Sequence, residues 1–444
     1  MGTATQFIVG FIGALGAFCL GAVIGWSGPV ENEVKKSNAY SFTPGQTEWG
    51  LVGSLMTLGA AFSCIPVGVL IGKIGRKVTM LILLPPFFIG WLLILLASHI
   101  AMLLVGRFIV GFCGGAFCVA CPMYVTEIAQ VQYRGTMGCF FQLLIVFGIL
   151  YAFVVGGYVK TFYFNIACAI LPVIFFILMI FMPESPIFLA QKGKPEKAEK
   201  SLKFLRGKDA DVSGELKEMS AEGQKEKASV GKILCRRITL KGLFLSIGLM
   251  LFQQMTGINA IIFYSTFIFE TAGSTLEPRI STIIVGIVQA IATIISILVI
   301  EKVGRKILLL VSACMMGIST LIMALYFGML MDSGVGWLAL IAVCVFIIGF
   351  SLGFGPVPWL MMAELFAEDV KALAGSIAGT TNWCFAFIVT LLFPVLNDMI
   401  GATACFAIFF GFAVAAFVFI LFLIPETKGK TLNEIQAKMG EKGE

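Results

Sequence analysis

The sequence predicts an all-α membrane protein: twelve transmembrane helices in two pseudo-symmetric six-helix bundles, with a small intracellular helical domain between them. Three observations lead there. Of the 444 residues 59% are hydrophobic and 13% charged, with a mean hydropathy of +0.99, too little charge to cover a water-soluble surface. Polar breaks cut the apolar residues into runs near the roughly 20 residues that a hydrocarbon layer about 30 Å thick requires of a helix. The charged punctuation of the first half recurs in the second.

The runs lie near 6–28, 48–71, 78–97, 101–126, 135–158, 162–182, 240–269, 280–300, 307–331, 337–362, 373–396 and 400–424. The first lacks a basic leader and a small-residue cleavage site, so it reads as a retained span. Basic residues gather in alternate breaks: Lys73, Arg76 and Lys77; Arg134; the stretch from Lys192 to Lys241; Lys302, Arg305 and Lys306; Lys371; and the tail from Lys428. The other breaks hold mainly Lys35, Lys36, Lys160 and Arg279. Positive charge collects on the cytoplasmic side, which places both termini and the long loop there. The net charge of +6 follows from this asymmetry and calls for no nucleic-acid partner.

Residues 1–190 form the first bundle, 191–238 a polar linker, 239–427 the second bundle and 428–444 a tail. Within the linker, PEKAEKSLKFLRG and VSGELKEMSAEGQKEK have the charge pairing of short exposed helices, with a flexible tether as the alternative. Lys73-Ile74-Gly75-Arg76-Lys77 is echoed by Lys302-Val303-Gly304-Arg305-Lys306. Glu127 and Arg134 are echoed at the same separation by Glu364 and Lys371, and Pro183-Glu184-Ser185 by Pro425-Glu426-Thr427. Matched halves of this kind describe a carrier with a central cavity.

Most of the 12 cysteines, among them Cys19, Cys64, Cys113, Cys118, Cys344 and Cys384, fall inside apolar runs and read as small packing residues. Cys118 and Cys121 form a CxxC without a second pair or a histidine at ligand spacing, and the one histidine, His99, sits in a short loop. Neither a metal nor another cofactor is expected, and no buried nucleophile or acid–base pair suggests an enzyme.

Gln253-Gln254-Met255-Thr256-Gly257-Ile258-Asn259 places three carboxamides inside an apolar run. An amide offers donors and an acceptor without charge, which suits a neutral polyhydroxylated solute, a sugar, better than an ion. Polar groups inside a span usually face the bundle interior or a wet path. The competing reading is a helix–helix hydrogen bond of about 0.6 to 2 kcal/mol. Gln253 and Asn259, six apart, lie on neighbouring faces of a regular helix, and a break at Gly257 would bring them closer.

The chain resembles the sugar porter family of the major facilitator superfamily from Gly13 to Ile435. The resemblance is carried by GRF at Gly106, PMYVTEIA from Pro122, RG at Arg134, PESPIFLA from Pro183, QQMTGINAIIFYS from Gln253 and EKVGRK from Glu301. GFGPVPWLMMAEL from Gly353, NW at Asn382 and PETKGKTLNEI from Pro425 complete it. It looks closest to insect facilitated trehalose transporters and to facilitative glucose transporters with a GxxxGWS-like first span. The resemblance implies the major facilitator fold, a small-molecule sugar as partner in a lipid bilayer, and sugar contacts from Gln253, Gln254, Asn259, Asn382 and Gln142. Gln289 stands where glucose carriers usually have Asn, and Ser351 where they often have Glu. Trp359 would form an apolar lid under the sugar ring, with Phe350 as a further wall, and Phe263 and Tyr264 an extracellular gate.

The same resemblance makes Arg76, Glu127, Arg134, Glu184, Glu301, Arg305, Glu364, Lys371 and Glu426 an intracellular gate that ties the halves together when the cavity opens outward. Gly72 and Ile187 replace an acid and an Arg common in relatives. Gly353, Gly355, Pro356 and Pro358 should bend the tenth helix. Proton-coupled relatives carry an acid in the first span; residues 6–28 contain none, Val23 lies near the expected position, and Arg107 is expected to orient the outer end of the fourth span. The expectation is facilitated transport of trehalose or a hexose such as glucose, across the plasma membrane. A proton symporter and a sugar sensor are the alternatives, and the oligomeric state stays open.

Overall fold

Hydrocarbon offers no water to a backbone N–H or C=O, so each long apolar run closes its own hydrogen bonds as a helix. The computed structural model describes residues 2–36, 39–223, 236–273, 276–366, 368–430, 434, 435 and 437. Within them, eleven helices are long and apolar enough to cross a membrane: Thr3–Glu31, Thr47–Ile74, Arg76–Leu95, Ile100–Ile128, Arg134–Tyr158, Thr161–Ile180, Arg237–Phe263, Pro278–Ile300, Arg305–Leu330, Trp337–Met362 and Leu373–Leu423. The last is two spans in series, because Gly401 leaves the helical region at φ 80°, ψ 162°. The twelve expected spans are thus present, with the final joint at Gly401 rather than at 397–399.

The spans run up and down, so the starts of odd spans and the ends of even spans share one face with both chain ends. On this terminal face, two joints are built alike. Gly75 (φ 101°) separates the second span from the third, and Gly304 (φ 105°) the eighth from the ninth. Each joint is capped by a carboxylate from the end of its half. Arg76 N and Lys77 N both donate to Glu184 Oε1 at 3.0 Å, while Arg305 N donates to Glu426 Oε1 and Lys306 N to Glu426 Oε2, also at 3.0 Å. An anion there satisfies orphan N–H groups and faces the positive end of the helix dipole.

The linker is helical where described, over Pro186–Gln191, Pro195–Arg206 and Ser213–Gly223. Ala190, Ala198, Leu202, Val212 and Met219 close a small core of their own. Arg206 fastens it to the first half: Nη1 donates to Ile128 O at 2.9 Å and Gln6 Oε1 at 3.2 Å, while Nη2 pairs with Glu215 at 2.6 Å. The Lys-rich remainder, 224–235, lies outside the described residues.

The halves meet along the second and eleventh spans. Thr57 Oγ1 lies 3.4 Å from Thr390 Oγ1, and a Cβ on Gly50 would be 3.7 Å from Pro394 Cγ. Away from the terminal face two further contacts seal the cleft. Gly28 of the first span approaches Ser265 and Thr266, and Arg279 lies 5.3 Å over the Tyr158 ring, joining the eighth span to the fifth.

The capped joints predict a contrast between two glycines. In Gly304→Ala, the added Cβ would sit 2.7 Å from Glu426 Oε2 at a φ unfavourable to alanine; in Gly72→Ala it would meet nothing within 4 Å. Thermal unfolding of the purified protein should show Gly304→Ala destabilised by about 1–3 kcal/mol, and Gly72→Ala unchanged.

Candidate functional site

The seventh span is interrupted where its amides sit. Its first helix, Arg237–Met255, ends on Thr256, whose Oγ1 donates back to Phe252 O at 2.9 Å. Gly257 then takes φ 98°, ψ 13°, and a new helix starts at Ile258. Phe409 presses on Gly257 so closely that a Cβ would lie 2.6 Å from its ring. Positive φ and this contact both require glycine here.

The break turns Gln253, Gln254 and Asn259 toward Asn382 of the eleventh span. Asn382 Nδ2 donates to Gln253 Oε1 at 2.6 Å, and Gln254 Nε2 donates to Asn382 Oδ1 at 3.1 Å and to Gln253 Oε1 at 3.3 Å. Asn259 Nδ2 donates to Gln254 Oε1 at 2.6 Å. The direct partner of Asn259 is thus Gln254 rather than Gln253. Gln253 Nε2 turns outward from this cluster, donating to Phe354 O at 2.5 Å and to Gly355 O at 3.2 Å in the broken tenth span. All four side chains are buried. Each amide donates to a neighbour, and no acid enters the cluster, as a desolvated polar group requires.

Among the described residues, the other expected site residues make no hydrogen bond to this cluster. Gln289 and Ser351 are buried, and Gln289 Oε1 and Ser351 Oγ have no hydrogen-bond partner among the described residues. Gln142 is half-buried on the fifth span. Trp359 is half-buried too, its indole edge 3.8 Å from where a Gly379 Cβ would stand, while Phe350 is buried in the core. On the sealed side, Tyr264 OH donates to Thr390 O at 2.8 Å and its ring stacks on Phe393 at 5.6 Å. Phe263 is fully buried, and both aromatics approach Gly53 of the first half.

Arg107 is the one fully buried cation among the described residues. Nε donates to Val52 O at 3.0 Å, Nη1 to Val23 O at 3.1 Å and Nη2 to Ser27 Oγ at 3.1 Å, and the guanidinium lies 4.9 Å over Trp26. It thereby ties the first, second and fourth spans with carbonyls and a π face in place of a carboxylate. Trp26 Nε1 donates in turn to Asn165 Oδ1 at 2.7 Å, and Asn165 Nδ2 to Tyr40 OH at 2.9 Å. Asn165, a lone amide in the sixth span, was the available sequence signal for this second network.

On the terminal face the repeated charges form two matching clusters. Arg76 Nη2 pairs with Glu127 at 2.6 Å and Arg305 Nη2 with Glu364 at 2.9 Å. Ser185 Oγ donates to Glu127 and Thr427 Oγ1 donates to Glu364, the latter at 2.6 Å. Among the described residues both ion pairs join residues of a single half, each Arg held beside its own joint; the expected tie between the halves belongs to the outward-open state. Among the described residues Glu127 pairs with Arg76 and not with Arg134, which is exposed. The side chains of Glu301 and Lys371 lie outside the described residues. Ser185 and Thr427 complete the clusters; the PES and PET echo marked them, although their neighbours' charge drew the eye. Burial pushes the Glu426 carboxyl up, but N–H groups of Lys428, Arg305, Lys306 and Thr427 hold it below its ordinary value.

Twelve spans in two halves with alike joints, around a buried neutral polar cluster between broken helices, define a polytopic membrane carrier. The chain belongs to the sugar (and other) transporter family, whose pattern matches residues 9–439. It is 39% identical over 445 residues to the facilitated trehalose transporter Tret1 of Culex quinquefasciatus, covering 98% of this chain and 86% of that one. It is 40% identical to Tret1 of Drosophila virilis, with 98% of this chain and 49% of that protein covered, so it spans about half the length of that relative. Among solved structures, the proton:xylose symporter XylE bound to 6-bromo-6-deoxy-D-glucose superposes with a TM-score of 0.81 at 25% identity, over 99% of this chain and 100% of that one. The inward open conformation of XylE from E. coli gives 0.80 at 24% identity, over 98% and 99%.

The carboxylate caps carry a pH dependence. A carboxyl whose native pKa is depressed contributes stability above its unfolded pKa of about 4.3 and loses it as pH falls through the lower native value. The stability difference between the wild type and Glu426→Gln should therefore be constant above about pH 5 and shrink below about pH 4, read by thermal unfolding across that range.

Proposed function

We propose that the chain is a facilitative sugar transporter, a uniporter that moves trehalose or a hexose such as glucose by alternating access. It would sit in the plasma membrane with the terminal face in the cytoplasm. The observation that carries this reading is the amide cluster of Gln253, Gln254, Asn259 and Asn382, buried between spans and free of acids. Sugar hydroxyls donate and accept much as amides do, so a sugar can enter by exchanging one neutral hydrogen bond for another. Gln289 Oε1 and Ser351 Oγ, buried without protein partners, are acceptors available to a second ring or to water. Gln142 and Trp359 supply contacts from the half-buried cavity wall.

Phe263 and Tyr264 form the outer gate in this reading, and the contacts at Gly28 and Arg279 hold it shut. The terminal-face clusters, with Arg76, Glu127, Glu184, Arg305, Glu364 and Glu426, are the inner gate elements; each braces the joint between neighbouring helices of its own half. The solved XylE chains keep proton symport in view as the second reading. Uniport is favoured because residues 6–28 of the first span carry no acid and Arg107 is satisfied by Val23 O, Val52 O and Ser27 Oγ; the buried carboxylate of that span, Glu31, lies at its far end.

Uptake of radiolabelled trehalose, glucose and fructose into cells lacking their own carriers, at two external pH values, tests both points. Saturable uptake of trehalose or glucose, insensitive to pH, is expected; influx that acidifies the cytosol would transfer the case to symport. At equal surface expression, Gln254→Ala and Asn259→Ala should each weaken sugar affinity by about three- to tenfold, the effect of one neutral hydrogen bond. Normal uptake by both would remove them from the site.

A further inference from the structure

The tenth span contains two prolines, and an N–H missing at each leaves a carbonyl four residues earlier without its helical donor. Pro356 orphans Leu352 O, and Pro358 orphans Phe354 O. Each carbonyl is taken by a side chain from another span. Ser296 Oγ of the eighth span donates to Leu352 O at 3.1 Å, and Gln253 Nε2 of the seventh donates to Phe354 O at 2.5 Å. Ser296 and Gln253 are 1% and 3% exposed, so water does not compete for either carbonyl. Of the N–H groups in the break, Gly355 N reaches back to Phe350 O at 2.7 Å, and Phe354 N donates to Ser312 Oγ of the ninth span at 3.1 Å.

The two caps differ in what else they touch. Ser296 makes one bond, to the hinge. The carboxamide of Gln253 is engaged at both ends, its Nε2 on the tenth span and its Oε1 accepting from Asn382 and Gln254. A hydroxyl that binds Gln253 must displace one of these bonds, and turning the amide to meet it frees Phe354 O. Trp359 follows Phe354 by about one and a half turns, so bending at the break carries the indole with it.

We infer that Ser296 and Gln253 are paired pins of a hinge in the tenth span, that sugar releases the Gln253 pin, and that Ser296 is a positioning residue setting the stiffness of the hinge that remains. The coupling to sugar rests on the proposed reading of the amide cluster. The Ser296 pin does not.

Hydrogen–deuterium exchange of the full-length protein in nanodiscs, followed in peptides covering residues 350–362, tests both parts. Without sugar, Ser296→Ala should exchange about three- to tenfold faster than the wild type, as loss of one hydrogen bond implies, and Ser296→Thr should match the wild type. Saturating trehalose or glucose, with occupancy verified by a rise in melting temperature, should speed exchange of the same peptides in the wild type. In flux assays Ser296→Ala should keep the wild-type half-saturation and change the ratio of sugar exchange to net flux. Wild-type exchange rates in Ser296→Ala would overturn the pin, and peptides that slow or stay unchanged under bound sugar would overturn the coupling. If neither sugar raises the melting temperature, the reading of the site fails, while the comparison of Ser296→Ala with Ser296→Thr still decides the hinge.

Discussion

An unsatisfied polar group in hydrocarbon is expensive, and the architecture follows from how this chain meets that constraint where its helices break. Regular spans satisfy themselves. The seventh and tenth cannot, because Gly257 reverses the backbone and Pro356 and Pro358 remove donors. Side chains fill the gaps in the tenth: Ser296 on Leu352 O, Gln253 on Phe354 O and Gly355 O. The polar site exists at this depth because two broken helices lie side by side and share their unmet hydrogen bonds.

The halves have divided the remaining work unequally. Both carry the same joint: a positive-φ glycine, an arginine paired to a glutamate, a hydroxyl on that glutamate and a second carboxylate capping the next helix. Between these joints the first half is braced by Arg107, held by three protein oxygens and the Trp26 face, where the helix of the first span is interrupted between Gly25 and Ser27. The second half holds the amide cluster and the breaks at Gly257 and between Leu352 and Val357. A firm half against a pliable one is a mechanically simple way to alternate a cleft, since only one side must change its internal hydrogen bonds.

Much of this was legible in the sequence because the features are periodic or chemically out of place. Apolar run lengths gave the spans, and the echo of Lys73–Lys77 in Lys302–Lys306 gave the duplication. Three carboxamides around Gly257 marked the site, since amides have no innocent reason to cluster at that depth. What escaped is what spacing within one segment does not encode. That Glu127 reaches Arg76 rather than Arg134 depends on the turn at Gly75, and that Gln142 and Gln289 make no bond to the cluster depends on how spans from different segments are set. Ser296 was invisible as a single hydroxyl in an apolar run, although counting four residues back from Pro356 and Pro358 identifies the carbonyls that need a partner.

The neutrality of the cluster also bears on turnover. A carrier must bind its cargo and then let it go on the other side, so the site cannot hold it with large net energy. In the proposed site of Gln253, Gln254, Asn259 and Asn382, an entering hydroxyl would replace an amide–amide bond with an amide–hydroxyl bond of similar strength, each worth about 0.5–1.5 kcal/mol net. Desolvation of an already paired amide is avoided in both the empty and the filled state. A carboxylate in the same place would bind hydroxyls more strongly and would need a counter-charge or a proton whenever the site emptied. Uncharged, mutually satisfied amides let the empty cluster persist in a dry bundle, and in the proposed uniport that persistence would allow the return step without any ion to accompany it.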